Sequence, residues 1–84
     1  MFYWIKAERM TGRLLDEVVK GIEDQHRGYV YGHGMDSEFT GFANMIVKAT
    51  PANVDAIRAM FHDQNGGAFC SSREMSEEEL EEFL

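Results

Sequence analysis

The sequence predicts an α+β domain in which a four-stranded antiparallel sheet is covered on one face by two helices. Three observations carry that reading. One stretch, Phe39 to Ala49, is apolar on both alternations, as a central strand would be; two segments with helical apolar spacing each follow a threonine; and short strand-like runs lie before, between and after them.

The chain opens with FYWIKAE, Phe2 to Glu8, whose aromatic and β-branched start suits a strand. Tyr3, Ile5 and Ala7 share one face, and Phe2, Trp4 and Lys6 the other. A helix follows from Thr11, an N-cap residue, with Met10 and Leu15 spaced as a hydrophobic staple. Leu14, Leu15, Val18, Val19 and Ile22 form its inward stripe. Arg13, Asp16, Glu17, Lys20, Glu23, Asp24 and Arg27 cover its outer face, with Asp16 and Lys20, and Glu23 and Arg27, four apart. Gly21 inside this helix costs roughly 1 kcal/mol against alanine, so the helix either packs closely on the sheet there or bends, and Gly28 is the expected stop.

GYVYGHGMD, Gly28 to Asp36, alternates as a second strand, with Tyr29, Tyr31, His33 and Met35 on one side and Val30, Gly32 and Gly34 on the other. Its glycines suit a bulge or a close approach by a ligand or another backbone. Asp36 to Glu38 turns the chain into the central strand. There Phe42, Asn44 and Ile46 face one way, and Ala43, Met45, Val47 and Ala49 the other. Thr50 and Pro51 start the second helix, since threonine caps and proline at the first helical position loses no hydrogen bond. Val54, Ile57 and Phe61 form its buried stripe, Ala56 and Met60 flank it, and Gly66-Gly67 ends it. Ala68 to Glu74 reads as a weaker edge strand. This completes a body of residues 1–75, and SEEELEEFL, residues 76–84, is a short acidic amphipathic helix. Ser76 and Glu79 make its capping box, Met75 staples onto Leu80, and Leu80, Phe83 and Leu84 share a face. So short a helix has to dock on something.

Strand, helix, strand, strand, helix, strand is the ferredoxin-like order, β-α-β-β-α-β, which puts the first and third strands at the centre and both helices on one face. The strand phases then leave Phe2, Trp4, Tyr29, Tyr31, His33, Phe42, Asn44 and Ile46 on the uncovered face, with Ser71 and Arg73 from the last strand. A face so aromatic is expected to meet a second subunit, a ligand, a nucleic-acid base or the docked tail.

TGFANMIV, Thr40 to Val47, followed by ATPANVDAIRAMFHDQNGG, resembles in outline the RNA-recognition motif. Gly41, Phe42 and Ala43 match its central strand, whereas Thr40 stands for the usual base, Asn44 for the second stacking aromatic, and Met45 and Val47 are hydrophobic substitutes. The resemblance implies single-stranded RNA binding, with Phe42, Trp4 and Tyr31 stacking on bases at about 1 to 3 kcal/mol each. The chain has no basic stripe to hold the phosphates. In size and element order it is also similar to dimeric α/β-barrel proteins, some of them isomerases or monooxygenases. Such an enzyme would use His33, Arg73 or Tyr31 for proton transfer, yet no carboxylate partner for His33 is assigned by the sequence.

The 84 residues, 44% of them hydrophobic, make one domain with one modest core. A core of this size supplies about 3 to 5 kcal/mol, which makes a partner or oligomer a natural source of further stability. The apolar run Met1 to Ile5 stops at Lys6, too short for a signal peptide or membrane span, and Cys70 has no second cysteine, so a reducing, cytoplasmic setting is expected. The net charge of −7 is unevenly placed, because five of the fifteen acids, Glu77, Glu78, Glu79, Glu81 and Glu82, crowd the tail. A near-neutral body with an acidic end suits a basic protein surface better than a phosphate backbone.

No catalytic residue, cofactor or metal ligand is expected. His26, His33, His62 and Cys70 lack metal-ligand spacing, and Gly66-Gly67 follows a helix where a phosphate loop would lead into one. The sequence therefore points to a small acidic protein-binding or regulatory module, such as an inhibitor docking on a basic, nucleic-acid-binding partner. Its partner-binding residues are expected to be Phe2, Trp4, Tyr29, Tyr31, His33, Phe42, the five tail glutamates and Phe83, with a homodimer through the sheet face as the first use of that surface.

Overall fold

The computed structural model describes residues 1–37 and 40–83, so the expected turn at Glu38, the start of the central stretch at Phe39 and the anchor at Leu84 lie outside the described residues. Along the chain run β1 (Phe2–Ala7), α1 (Gly12–Asp24), β2 (Tyr29–Ser37), β3 (Phe42–Lys48), α2 (Pro51–Asn65), β4 (Cys70–Met75) and α3 (Glu77–Phe83). The four strands form one antiparallel sheet in the order β2-β3-β1-β4. Among the described residues no helix is long and apolar enough to cross a membrane.

The alternation in β1 and β3 sets the layers. Tyr3 pairs with Val47, Ile5 with Met45 and Ala7 with Ala43, and all six side chains are buried. They join Leu15, Val18 and Ile22 of α1 and Val54, Ile57 and Phe61 of α2 in one core cluster, so both helices cover this face. The intervening residues, Phe2, Trp4, Lys6, Phe42, Asn44 and Ile46, are only half-buried on the opposite face.

Local chemistry explains most of the element ends. Thr11 and Thr50 cap the two long helices by accepting from the N–H groups of Leu14 and Asn53, both at 3.2 Å. Gly66 closes α2 in the left-handed conformation, at φ 71°, where glycine carries no Cβ penalty. The end of α1 departs from expectation: Gln25 is its C-cap and His26, at φ 52°, turns the chain. Gly28 serves another purpose. A Cβ there would lie 2.7 Å from the Lys48 carbonyl oxygen, so the residue is small because β3 passes against it. Arg27 accordingly lies beyond the helix, and its guanidinium donates to Asn53 Oδ1 at 3.3 Å instead of pairing along α1 with Glu23. At Gly21 a Cβ would make an ordinary 3.6 Å contact with Met60 Sδ, so the close neighbour there is α2 and not the sheet.

The phase of β2 also needs correction. Its pairing with β3 slips between Val30 and Gly32 and again between Met35 and Ser37, leaving Tyr31 and Asp36 as extra residues. Each slip reverses the alternation. His33 therefore stands opposite buried Met45, and Met35 opposite buried Ala43, on the helix-side parity of an edge strand and not on the aromatic face. The glycines take the other side: Gly32 lies opposite Ile46 and Gly34 opposite Asn44.

β4 begins later than the sequence suggests, at Cys70, with Phe69 left 55% exposed. Asn65 explains the shift. Buried at the end of α2, its side-chain amide donates to the Glu8 carbonyl at 2.9 Å and accepts from the Ala68 N–H at 3.1 Å, tying the α2–β4 turn to the end of β1.

Candidate functional site

The uncovered sheet face carries the aromatic side chains, and each is held by a neighbour of known type. Phe2 meets Tyr31 edge-on at 5.6 Å, and Tyr31 meets Tyr29 at 4.8 Å, a cluster at the β2 end of the sheet. Cations stack on three of the rings: Lys6 over Phe42 at 4.9 Å, Lys48 over Phe2 at 5.8 Å and Arg73 over Trp4 at 5.4 Å. Tyr29 is the ring left most open, 64% exposed.

Trp4 is fixed from below. Its indole N–H donates to Asn44 Oδ1 at 2.9 Å, the Asn44 amide donates to Asp36, and Asp36 pairs with Lys6 at 3.3 Å. The chain of contacts crosses β1, β3 and β2. It exists because the bulge at Asp36 turns that carboxylate toward Asn44, a role that Asn44 and Asp36 were not expected to fill.

At the opposite end of the face the tail docks on its own sheet. Phe83 meets the Trp4 ring edge-on at 5.2 Å, and Leu80 and Met75 are buried apart from the main core cluster. The capping box forms, with the Glu79 N–H donating to Ser76 Oγ at 3.2 Å and the Ser76 N–H to Glu79 Oε1 at 3.4 Å. The second Glu79 oxygen takes Arg73 at 2.8 Å. Arg73 and the Ser76 N–H together hold the Glu79 carboxyl below its ordinary value of 4.5. Glu77, Glu78, Glu81 and Glu82 are exposed on the other side of α3.

Between the two ends lies an open groove of about 410 Å³, walled by Trp4, Tyr31 and Phe83 and floored by Ile46 and Asn44. The groove exists because Gly32 and Gly34 put no side chain over Ile46 and Asn44. The structure thus brings Phe2, Trp4, Tyr29, Tyr31, Phe42 and Phe83 to one face. It sends His33 to the other parity and separates Glu79 from the other four tail glutamates.

Among the described residues no group of three or more His, Cys, Asp and Glu is placed to hold a metal ion. Burial pushes the Cys70 thiol up, against the lowering effect of neighbouring Arg58, which leaves it a weak nucleophile.

Comparison of the chain with protein-family models gives no match, and comparison with curated proteins gives none either. The face must therefore be read from its own geometry.

Proposed function

We propose that this protein is a non-enzymatic binding module of ferredoxin-like topology. Its open sheet face and the outer side of α3 together hold a basic, amphipathic segment of a partner protein. The observation that carries the reading is the juxtaposition of an aromatic groove, left open by two glycines, with four exposed glutamates on the adjoining helix. An apolar side chain of the partner fills the groove between Trp4, Tyr31 and Phe83, where burial contributes roughly 1.5 to 3 kcal/mol. Lysines or arginines beside it face Glu77, Glu78, Glu81 and Glu82, which speeds association and sets its sign preference.

Charge complementarity favours this occupant over nucleic acid. The open face with α3 carries Lys6, Lys48 and Arg73 against Asp36 and five glutamates, and each of the three cations already sits on a ring. A basic surface of a nucleic-acid-binding protein has the complementary chemistry, so an inhibitory or regulatory role follows from the same contacts.

Calorimetry with a synthetic arginine- and leucine-rich peptide tests the reading. Saturable binding is expected that weakens with added salt, loses most of its salt dependence when Glu77, Glu78, Glu81 and Glu82 are all replaced by glutamine, and fails for Gly34→Leu, which fills the groove. Equal affinity for wild type and both variants would overturn it.

A further inference from the structure

The face of α3 that turns inward has its own specificity. Leu80 is 6% exposed although it belongs to a helix of 7 residues, Phe83 meets Trp4, and Glu79 reaches Arg73. A helix this short does not persist in water by itself, so its shape depends on the strip it covers, Trp4 on β1 and Arg73 on β4. The strip and the helix stand outside the main core: Met75 and Leu80 do not join the cluster beneath α1 and α2. The helix can therefore leave while that core stays closed.

We infer that α3 is a removable plug over a second recognition strip, and that the strip accepts in trans a partner's short helical segment of the plug's own chemistry, acid-Leu-x-x-Phe. The class of that segment is set by the occupant already seated there. A carboxylate meets Arg73 where the guanidinium is braced on the Trp4 ring at 5.4 Å, the leucine that follows it is buried, and an aromatic ring one turn later meets Trp4. This site takes an acidic segment, whereas the groove and the outer face of α3 take a basic one; the two share Trp4 and Phe83, and the sign of the peptide that binds distinguishes them.

The test uses the full chain with Leu80→Ala and Phe83→Ala together, and a peptide of residues 75–83 as probe, followed through Trp4, the only tryptophan. If the docked plug is populated about nine-tenths of the time, the peptide binds the double variant roughly tenfold more tightly than wild type. A peptide carrying Glu79→Gln binds the double variant more weakly than the unaltered peptide. Equal binding to both chains, or to neither, overturns the inference. Hydrogen exchange on the wild-type protein decides independently of how the variant behaves. The amides of α3 are expected to exchange through an opening that leaves β1 and β3 protected, and exchange of all three elements only in one global event would make α3 a fixed part of the fold.

Discussion

The indole N–H of Trp4 donates to Asn44 Oδ1 across the β1–β3 pair at 2.9 Å. Because Asn44 in turn donates to Asp36, the ring that walls the groove is fixed by a polar chain and not by packing alone. Asn44→Leu is expected to cost about 1 kcal/mol for the hydrogen bond, since water reaches this half-buried site. Its clearer effect is on the ring itself. Trp4 fluorescence anisotropy should fall in the variant, while the fold, read by circular dichroism, stays unchanged.

Two glycines separate helix propensity from close packing. Gly21→Ala places a methyl at ordinary contact with Met60 and should raise stability by about 0.5 to 1 kcal/mol. Gly28→Ala drives a Cβ to 2.7 Å from the Lys48 carbonyl and should lower it by at least about 1 kcal/mol. Chemical denaturation of the pair checks both signs.

Asn65→Leu removes a buried amide that serves Glu8 and Ala68 at once. With both backbone partners left in part unsatisfied, a loss of about 2 to 3 kcal/mol is expected, and Asn65→Asp, which keeps the acceptor but turns a carboxylate oxygen onto the Glu8 carbonyl, should cost at least as much. Denaturant midpoints with unchanged slopes are the readout.

These residues show how far the sequence could be read. The phases of β1 and β3, the threonine caps, the glycine stop of α2 and the Ser76–Glu79 box are local signals of period and side-chain chemistry, and they appear as expected. The alternation puts His33 on the wrong face because a bulge is set by pairing across strands, which a single strand's pattern does not contain. Gly28 looks like a helix stop in the sequence for a similar reason, since its neighbour is β3, distant in sequence. Of the face itself the aromatic members were legible, and the Asn44–Asp36 link was not, because it needs the second bulge.

The Glu79 carboxyl is held below its ordinary value by Arg73 and Ser76, so the docked state of α3 binds fewer protons than the released state. Its contribution is present above the ordinary glutamate value of 4.5 and is lost as the pH falls through the lowered value of the docked helix. Acid titration should therefore release Phe83 from Trp4 before the core unfolds, shifting Trp4 emission in a separate step. Glu79→Gln should remove that step.

The account rests on a basic segment lying in the groove and along α3. The most direct measurement is a nitrogen–proton correlation spectrum of the labelled protein during titration with an arginine- and leucine-rich peptide. The expected shifts gather at the Trp4 indole N–H, Gly32, Gly34, the Asn44 side-chain amide and the backbone of Glu77 to Glu82. Shifts confined to the outer faces of α1 and α2, or none at saturating peptide, would contradict it.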